Sequence, residues 1–209
     1  DTDLKGITLG GAVAAGSGLA FSANVLSNTL FSDNTAKVEG TKINKNAASA
    51  SGDLKVKATS DEKIDVIPLA FAVTSSGSAA ASANVGVNVV KNNTRAYIDK
   101  SQTTNELSEI KANNIEVVAK DDTTSRSRGG VLAASGGTAG VGVSVLSNVN
   151  VSSVEAGIEK GAKTGSQNQR VGEVTVDAQS IQDYHSILFA VAGGGTAAVN
   201  GSVNSNIVV

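Results

Sequence analysis

The chain has 209 residues, 23 of them glycine, with one proline, no cysteine, methionine or tryptophan, and only four phenylalanines and two tyrosines. A conventional globular core, built from Leu, Phe, Met and Trp, is excluded by that composition. With 17 basic against 19 acidic residues, mixed within the same segments, and a formal net charge of -2, the chain has no electrostatic footprint for nucleic acid or for an anionic membrane surface.

The elements recur in chain order with a period near 60 residues. In the second copy an apolar stretch rich in β-formers (64–74, "IDVIPLAFAVT") is interrupted by Ser75-Ser76-Gly77. The matching interruptions are "GSG" at 16–18, "SGG" at 135–137 and "GGG" at 193–195. Glycine at one place in every copy predicts a bend or bulge where a side chain would obstruct the neighbouring backbone. A long alternating strand follows, residues 78–90 ("SAAASANVGVNVV"), then a polar turn at 91–93 and a short strand at 94–98. Next comes a segment of variable length and content, 39–53, 99–114 and 159–173 in successive copies, which behaves as a surface loop. "LKVKA", "IEVVA" and "VTVDA" then supply one further strand per copy. A helical reading fails on period, because "GVGVSV" at 140–145 repeats every two residues.

The register of the repeat is held by Val25, Val85 and Val145, by Asn28, Asn88 and Asn148, and by Val38, Ile98 and Ile158. In a fourth copy, shortened by two residues, Val203 and Asn206 take the corresponding places. Self-similarity at this period is the mark of stacked repeat architectures. The copies run about 1–60, 61–120, 121–178 and a partial 179–209. Neither end shows a distinct polar cap, so the whole chain is expected to be one array within a longer shaft. The expected fold is all-β: a right-handed parallel β-solenoid, or β-helix, with one wide rung per repeat. The alternative is a narrower β-helix with several rungs of about 20 residues.

Along the long strands the odd positions are apolar (Val25, Val85, Val145, Val203) and the even positions small and polar (Asn28, Asn88, Asn148, Asn206). The apolar face is expected to be the interior and the polar face to be outside. Stacked at about 4.8 Å, like residues lie over like, and the four asparagines can form a hydrogen-bonded ladder. An outward polar face could also pack shafts side by side, in which case lysine at Asn84 and Asn88 would abolish bundling and leave the monomer folded.

No apolar run reaches the roughly 18 residues of a transmembrane helix. The six aromatics, Phe21, Phe31, Phe71, Tyr97, Tyr184 and Phe189, cannot make the two girdles of a membrane barrel, so no membrane insertion is expected.

Chemistry-bearing residues are sparse. His185 is the only histidine and has no nucleophile or acid in a recurring context. Acids recur as Asp1 and Asp3, Asp61 and Glu62, and Asp121 and Asp122, but neither an EF-hand nor a glycine-aspartate nonapeptide pattern surrounds them. They are expected in solvated turns, with no metal and no cofactor. Arg126 and Arg128 in "SRSRGG" form a small basic cluster that suits edge protection or an anionic glycan. The glycine-rich bends lack the Lys-Ser or Lys-Thr of a phosphate loop.

The copies "FAVTSSGSAAASANVGVNVVKNNTRAYI" (71–98) and "VLAASGGTAGVGVSVLSNVNVSSVEAGI" (131–158) resemble the repeats of very large secreted bacterial adhesins, the filamentous-haemagglutinin-like and leukotoxin-type filamentous exoproteins. The resemblance implies export by a two-partner or autotransporter route, an extracellular or cell-surface location, a β-helical shaft, and a part in attachment or cell contact. It carries over no functional residues. The expected function is therefore structural and not enzymatic. The partners would be neighbouring repeats, lateral copies of the chain, and surface glycans or proteins meeting the loops at 39–53, 99–114 and 159–173. Two alternatives remain: a carbohydrate-active or glycan-binding β-helix, which requires paired carboxylates in a groove, and a subunit of a self-assembling extracellular fibre.

Overall fold

The structure, a computed structural model, describes residues 2–44, 52–76, 78–166 and 169–209. Among these there is no helix. The strands are β1 (Thr2–Ala14), β2 (Leu19–Glu39), β3 (Lys42–Ile43), β4 (Leu54–Thr74), β5 (Ala79–Asp99), β6 (Ser108–Ile110), β7 (Asn114–Ser135), β8 (Ala139–Ile158), β9 (Ala162–Thr164), β10 (Glu173–Gly193) and β11 (Ala197–Val208). They form three sheets: β1-β4-β7-β10, β2-β5-β8-β11, and a small β3-β6-β9. All ladders between them are parallel. Each complete repeat passes once through each sheet, so one repeat makes one wide rung of a β-solenoid.

The strands are longer than the sequence suggested. "LKVKA" and "IDVIPLAFAVT" are the two ends of one 21-residue strand, β4. No turn interrupts β5 at 91–93; the strand runs for 21 residues from Ala79 to Asp99, about 69 Å of extended chain. A polar residue does not end a strand whose neighbours in the adjacent rungs supply its backbone partners. The segments at 39–53, 99–114 and 159–173 are likewise more than surface loops, because they carry β3, β6 and β9. The third sheet closes the end of the rung away from the bend and covers the apolar cluster of Val56, Ala58, Ala96, Ile98, Ile110, Ile115 and Val117.

The sidedness of the long strands is the reverse of that expected. On β5 the inward residues are Ala80, Ser82, Asn84, Gly86, Asn88, Val90, Asn92, Thr94, Ala96 and Ile98, all buried, while Val85, Val87 and Val89 point outward. The polar face is the interior in the half of the rung next to the bend. The reason lies in the other half of the same strand. Parity is continuous through residues 79–99, so burying Val85 and Val87 would also turn Lys91, Arg95 and Asp99 inward and expel Ala96 and Ile98. A one-residue slip flips every side chain. Burying a Val is worth about 1.5–3 kcal/mol, whereas an uncompensated buried charge costs several kcal/mol. The charges decide.

Each rung therefore has two halves. Near the third sheet an apolar interior is matched by charged outward residues such as Lys55, Lys57, Arg95 and Asp99. Near the bend an interior mainly of Ser, Asn, Gly, Thr and Ala, with Val66, Val131 and Leu146 buried among them, is matched by apolar outward side chains. Within that interior, sizes alternate along the stack: Leu26, Gly86 and Leu146 share a register position, and a Cβ on Gly86 would lie 2.4 Å from Leu146 Cδ2. At the bend, a Cβ on Gly140 would lie 2.2 Å from the Gly193 carbonyl oxygen. Gly77 lies outside the described residues.

The repeat is not strictly periodic. Thr2 faces Glu62 and Leu19 faces Ala79, both steps of 60, but Leu54 faces Ile115, a step of 61, and Ala197 faces Ala139, a step of 58. On β7 the inward residues are consequently odd-numbered, from Ile115 to Ser135.

Candidate functional site

The polar interior contains two arrangements. The first is a column of asparagines. Asn28 Nδ2 donates to Asn88 Oδ1 at 2.9 Å, Asn88 Nδ2 to Asn148 Oδ1 at 2.7 Å, and Asn148 Nδ2 to Asn206 Oδ1 at 2.7 Å. Serines of the opposite sheet brace it: Asn88 Nδ2 donates to Ser127 Oγ at 2.9 Å, Ser127 Oγ to Asn148 Oδ1 at 2.8 Å, and Asn148 Nδ2 to Ser186 Oγ at 2.9 Å. The two middle amides, Asn88 and Asn148, thus use both ends along the solenoid axis, which parallel in-register stacking makes possible. Val25, Val85, Val145 and Val203 share a second register column on the outer side of the same strands, with Val25 71% and Val203 58% exposed.

Four residues before the column, Asn24 and Asn84 reach across to the first sheet. Asn84 Nδ2 donates to the Pro68 carbonyl at 2.8 Å and Asn24 Nδ2 to the Leu69 carbonyl at 2.9 Å. Pro68 has no N–H, and the β4–β7 pairing skips Ile67 and Pro68. The asparagines tie the two sheets together where that ladder is broken.

The second arrangement is a buried acidic pair. Glu62 on β4 and Asp121 on β7 are 2% and 0% exposed, and Asn92 of β5 stands between them. Asn92 Nδ2 lies 2.9 Å from Glu62 Oε2, 3.1 Å from Asp121 Oδ1 and 2.8 Å from Thr123 Oγ1. The Ser60 hydroxyl donates to Glu62 Oε1. Burial, followed by the negative charge of Glu62, raises the Asp121 pKa to about 6, against the lowering effect of hydrogen bonds from Asn92 and Ser152. Burial and then Asp121 likewise raise the pKa of the Tyr184 phenol, which also meets Asn150.

The sequence places these acids in solvated turns; the structure corrects that, burying Glu62 and Asp121. They sit mid-strand because the polar stretch at 60–63 lies inside β4, and the step of 61 puts Ser60, not Asp61, opposite Asp121. Asp61 and Asp122 are the outward neighbours of the pair. Asp3 is outward and bound to Lys5 at 3.1 Å, while Asp1 lies outside the described residues. The signal that could have located the pair is parity: Val56 and Ala58 share the face of Glu62, and Val117 and Ala119 that of Asp121. Among the described residues, no three acidic, histidine or cysteine side chains lie close enough to hold a metal ion.

The other candidates are superficial. His185 is an outward residue of β10, 3.2 Å from Asp183 Oδ2. Arg126 and Arg128 point out of β7, and Arg128 meets Asp65 at 3.4 Å. A shallow open groove of about 290 Å³ crosses this region, lined by Asp3, Lys5, Lys63, Asp65 and Arg126 among others. In the segments at 39–53, 99–114 and 159–173, residues 45–51, 167 and 168 lie outside the described residues. The exposed part of the second is the turn at 101–107, where Ser101 Oγ accepts the N–H groups of Thr103 and Thr104.

No protein-family model, curated protein or solved structure matches the chain. The fold defines a class: a parallel β-solenoid of wide rungs whose interior carries a column of stacked asparagine amides.

Proposed function

We propose that this chain is a segment of the shaft of a large secreted or cell-surface bacterial adhesin or filament, whose work is to hold binding sites at a distance. The observation that carries the reading is the rung-to-rung bonding of the interior. Asn88 and Asn148 have no complete hydrogen-bond set within their own rung and obtain it from the rungs on either side. Stability then accumulates along the axis, as in other repeat arrays. The close carboxylate pair, Glu62 and Asp121, is sealed inside the solenoid, out of reach of a polysaccharide that would need both acids in an open cleft. That favours a structural role over glycoside chemistry. Contact with a surface would fall to the outward turns at the third-sheet end of each rung.

Thermal unfolding, followed by far-ultraviolet circular dichroism, tests the reading on this chain and on a version extended by one 60-residue repeat at each end. A melting temperature that climbs with repeat number supports a shaft. A melt indifferent to added rungs would identify a self-contained domain and overturn it.

A further inference from the structure

Among the described residues nothing covers the outer side of the second sheet, and its chemistry specifies a partner. From the bend, no charged side chain points out of this face before Asp33 on β2, Lys91 on β5 and Glu155 on β8, and none does so along β11. The outward residues include Phe21 (68% exposed), Val25 (71%), Val143 (42%) and Val203 (58%). About twelve residues at 3.3 Å on four strands spaced about 4.8 Å apart give a face of roughly 750 Å². The largest apolar patch of an ordinary monomer is about 300–600 Å², whereas a standard interface covers about 800 Å² on each partner.

We infer that this face docks on the same face of a second copy of the chain, sheet against sheet, as a self-complementary two-fold contact. Three observations favour a second copy over lipid. The side chains are small, with Ala79, Ala81 and Ala83 next to the bend, which suits interdigitation of sheets about 10 Å apart. A column of hydroxyls, Ser27, Ser147 and Ser205, with Val87 between the first two, crosses the middle of the face. Lipid-facing strands instead carry aromatic girdles at both interfaces and need only about 9–11 residues to cross; this face has no such girdles and runs longer. The outer side of the first sheet is the weaker candidate, because Asp65, Arg126, Arg128 and His185 confine its apolar stretch to about eight residues, roughly 500 Å².

The contact goes beyond the shaft reading and does not depend on it, since melting against repeat number tests one and sedimentation the other. Sedimentation velocity up to about 100 µM, where a micromolar interface is saturated, is expected to show dimers or larger species for the native chain. The double variant Val85→Lys/Val145→Lys is expected to be monomeric with an unchanged β spectrum, because both side chains already point outward, and to match the melting temperature of the native chain only at concentrations low enough for the native chain to be monomeric too. A milder pair, Val143→Thr/Val203→Thr, should weaken association at least tenfold while keeping strand propensity. Leu69→Lys, on the outer side of the first sheet, should leave association intact. A native chain that stays monomeric overturns the inference, as does association abolished by Leu69→Lys but not by the second-sheet variants. A chain that is monomeric in buffer yet floats with phosphatidylcholine vesicles would make lipid the occupant and equally overturn it.

Discussion

Removing one amide from the middle of the asparagine column tests the central claim about the interior. Asn88 is 1% exposed; it accepts from Asn28 and donates to Ser127 and Asn148. Asn88→Ala removes three hydrogen bonds, each worth about 1 kcal/mol net, and deprives the Asn28 amide of its acceptor, for a loss of about 3–4 kcal/mol. In a chain of this length each kcal/mol moves the melting temperature by about 2–4 °C, so a fall of roughly 6–16 °C is expected. The comparison is Val87→Ala, one residue away on the outer side, which should cost under about 1 kcal/mol because it vacates a partly solvated position. Replacing Asn28, Asn88, Asn148 and Asn206 together by Val should cost far less than four times the single loss, because no amide is then left facing a missing partner. Guanidinium denaturation with a common slope reads all three quantities. If Asn88→Ala and Val87→Ala differ by less than about 0.5 kcal/mol, the column is not holding the rungs and the reasoning fails.

Three further outcomes follow from the same interior. The folded-state pKa of Asp121, about 6, lies above the unfolded value of 3.8, so the folded chain holds the proton more tightly. The contribution of Asp121 to stability is therefore greatest below about pH 4 and declines as pH rises through about 6, by at most about 3 kcal/mol; Asp121→Asn should remove that contribution to the slope and raise the melting temperature at pH 8, as thermal scans of both chains across pH would show. Gly140→Ala places a methyl against the Gly193 carbonyl and should lower the melting temperature by several degrees, whereas Gly201→Ala, with nothing within 4 Å of the new carbon, should change it by less than a degree or two. Lysine at Asn84 and Asn88 together should unfold the chain, since it buries two ammonium groups; a folded double variant by circular dichroism would contradict the inward placement.

Much of the architecture is legible in the residues themselves. The recurrence of Val25, Val85 and Val145, and of Asn28, Asn88 and Asn148, fixes the register in which β2, β5 and β8 pair, and the lack of any shorter internal repeat points to wide rungs. Sidedness was harder to read, for a physical reason. Alternation defines two faces without saying which is buried, and hydrophobicity misleads where asparagines such as Asn88 and Asn148 satisfy one another by stacking. A turn assumed at 91–93 also separated Val85 from Arg95 and Ile98, the residues that settle the question once the strand is taken as continuous. The acidic pair was obscured in a related way: a single extra residue between β4 and β7 shifts Asp121 from the outward register of Asp61 to the inward register of Ser60.

The length of β4 and β5 has a mechanical consequence. The solenoid axis runs along the backbone hydrogen bonds, so tension applied through the ends of the array pulls on those bonds head-on and must open all those between two rungs before the rungs part. With strands of 21 residues on each side, that force is divided among many more bonds than in a β-helix of short rungs. A fibre built this way is expected to give way in discrete events, each releasing a whole 60-residue turn of chain, and to resist creep between them.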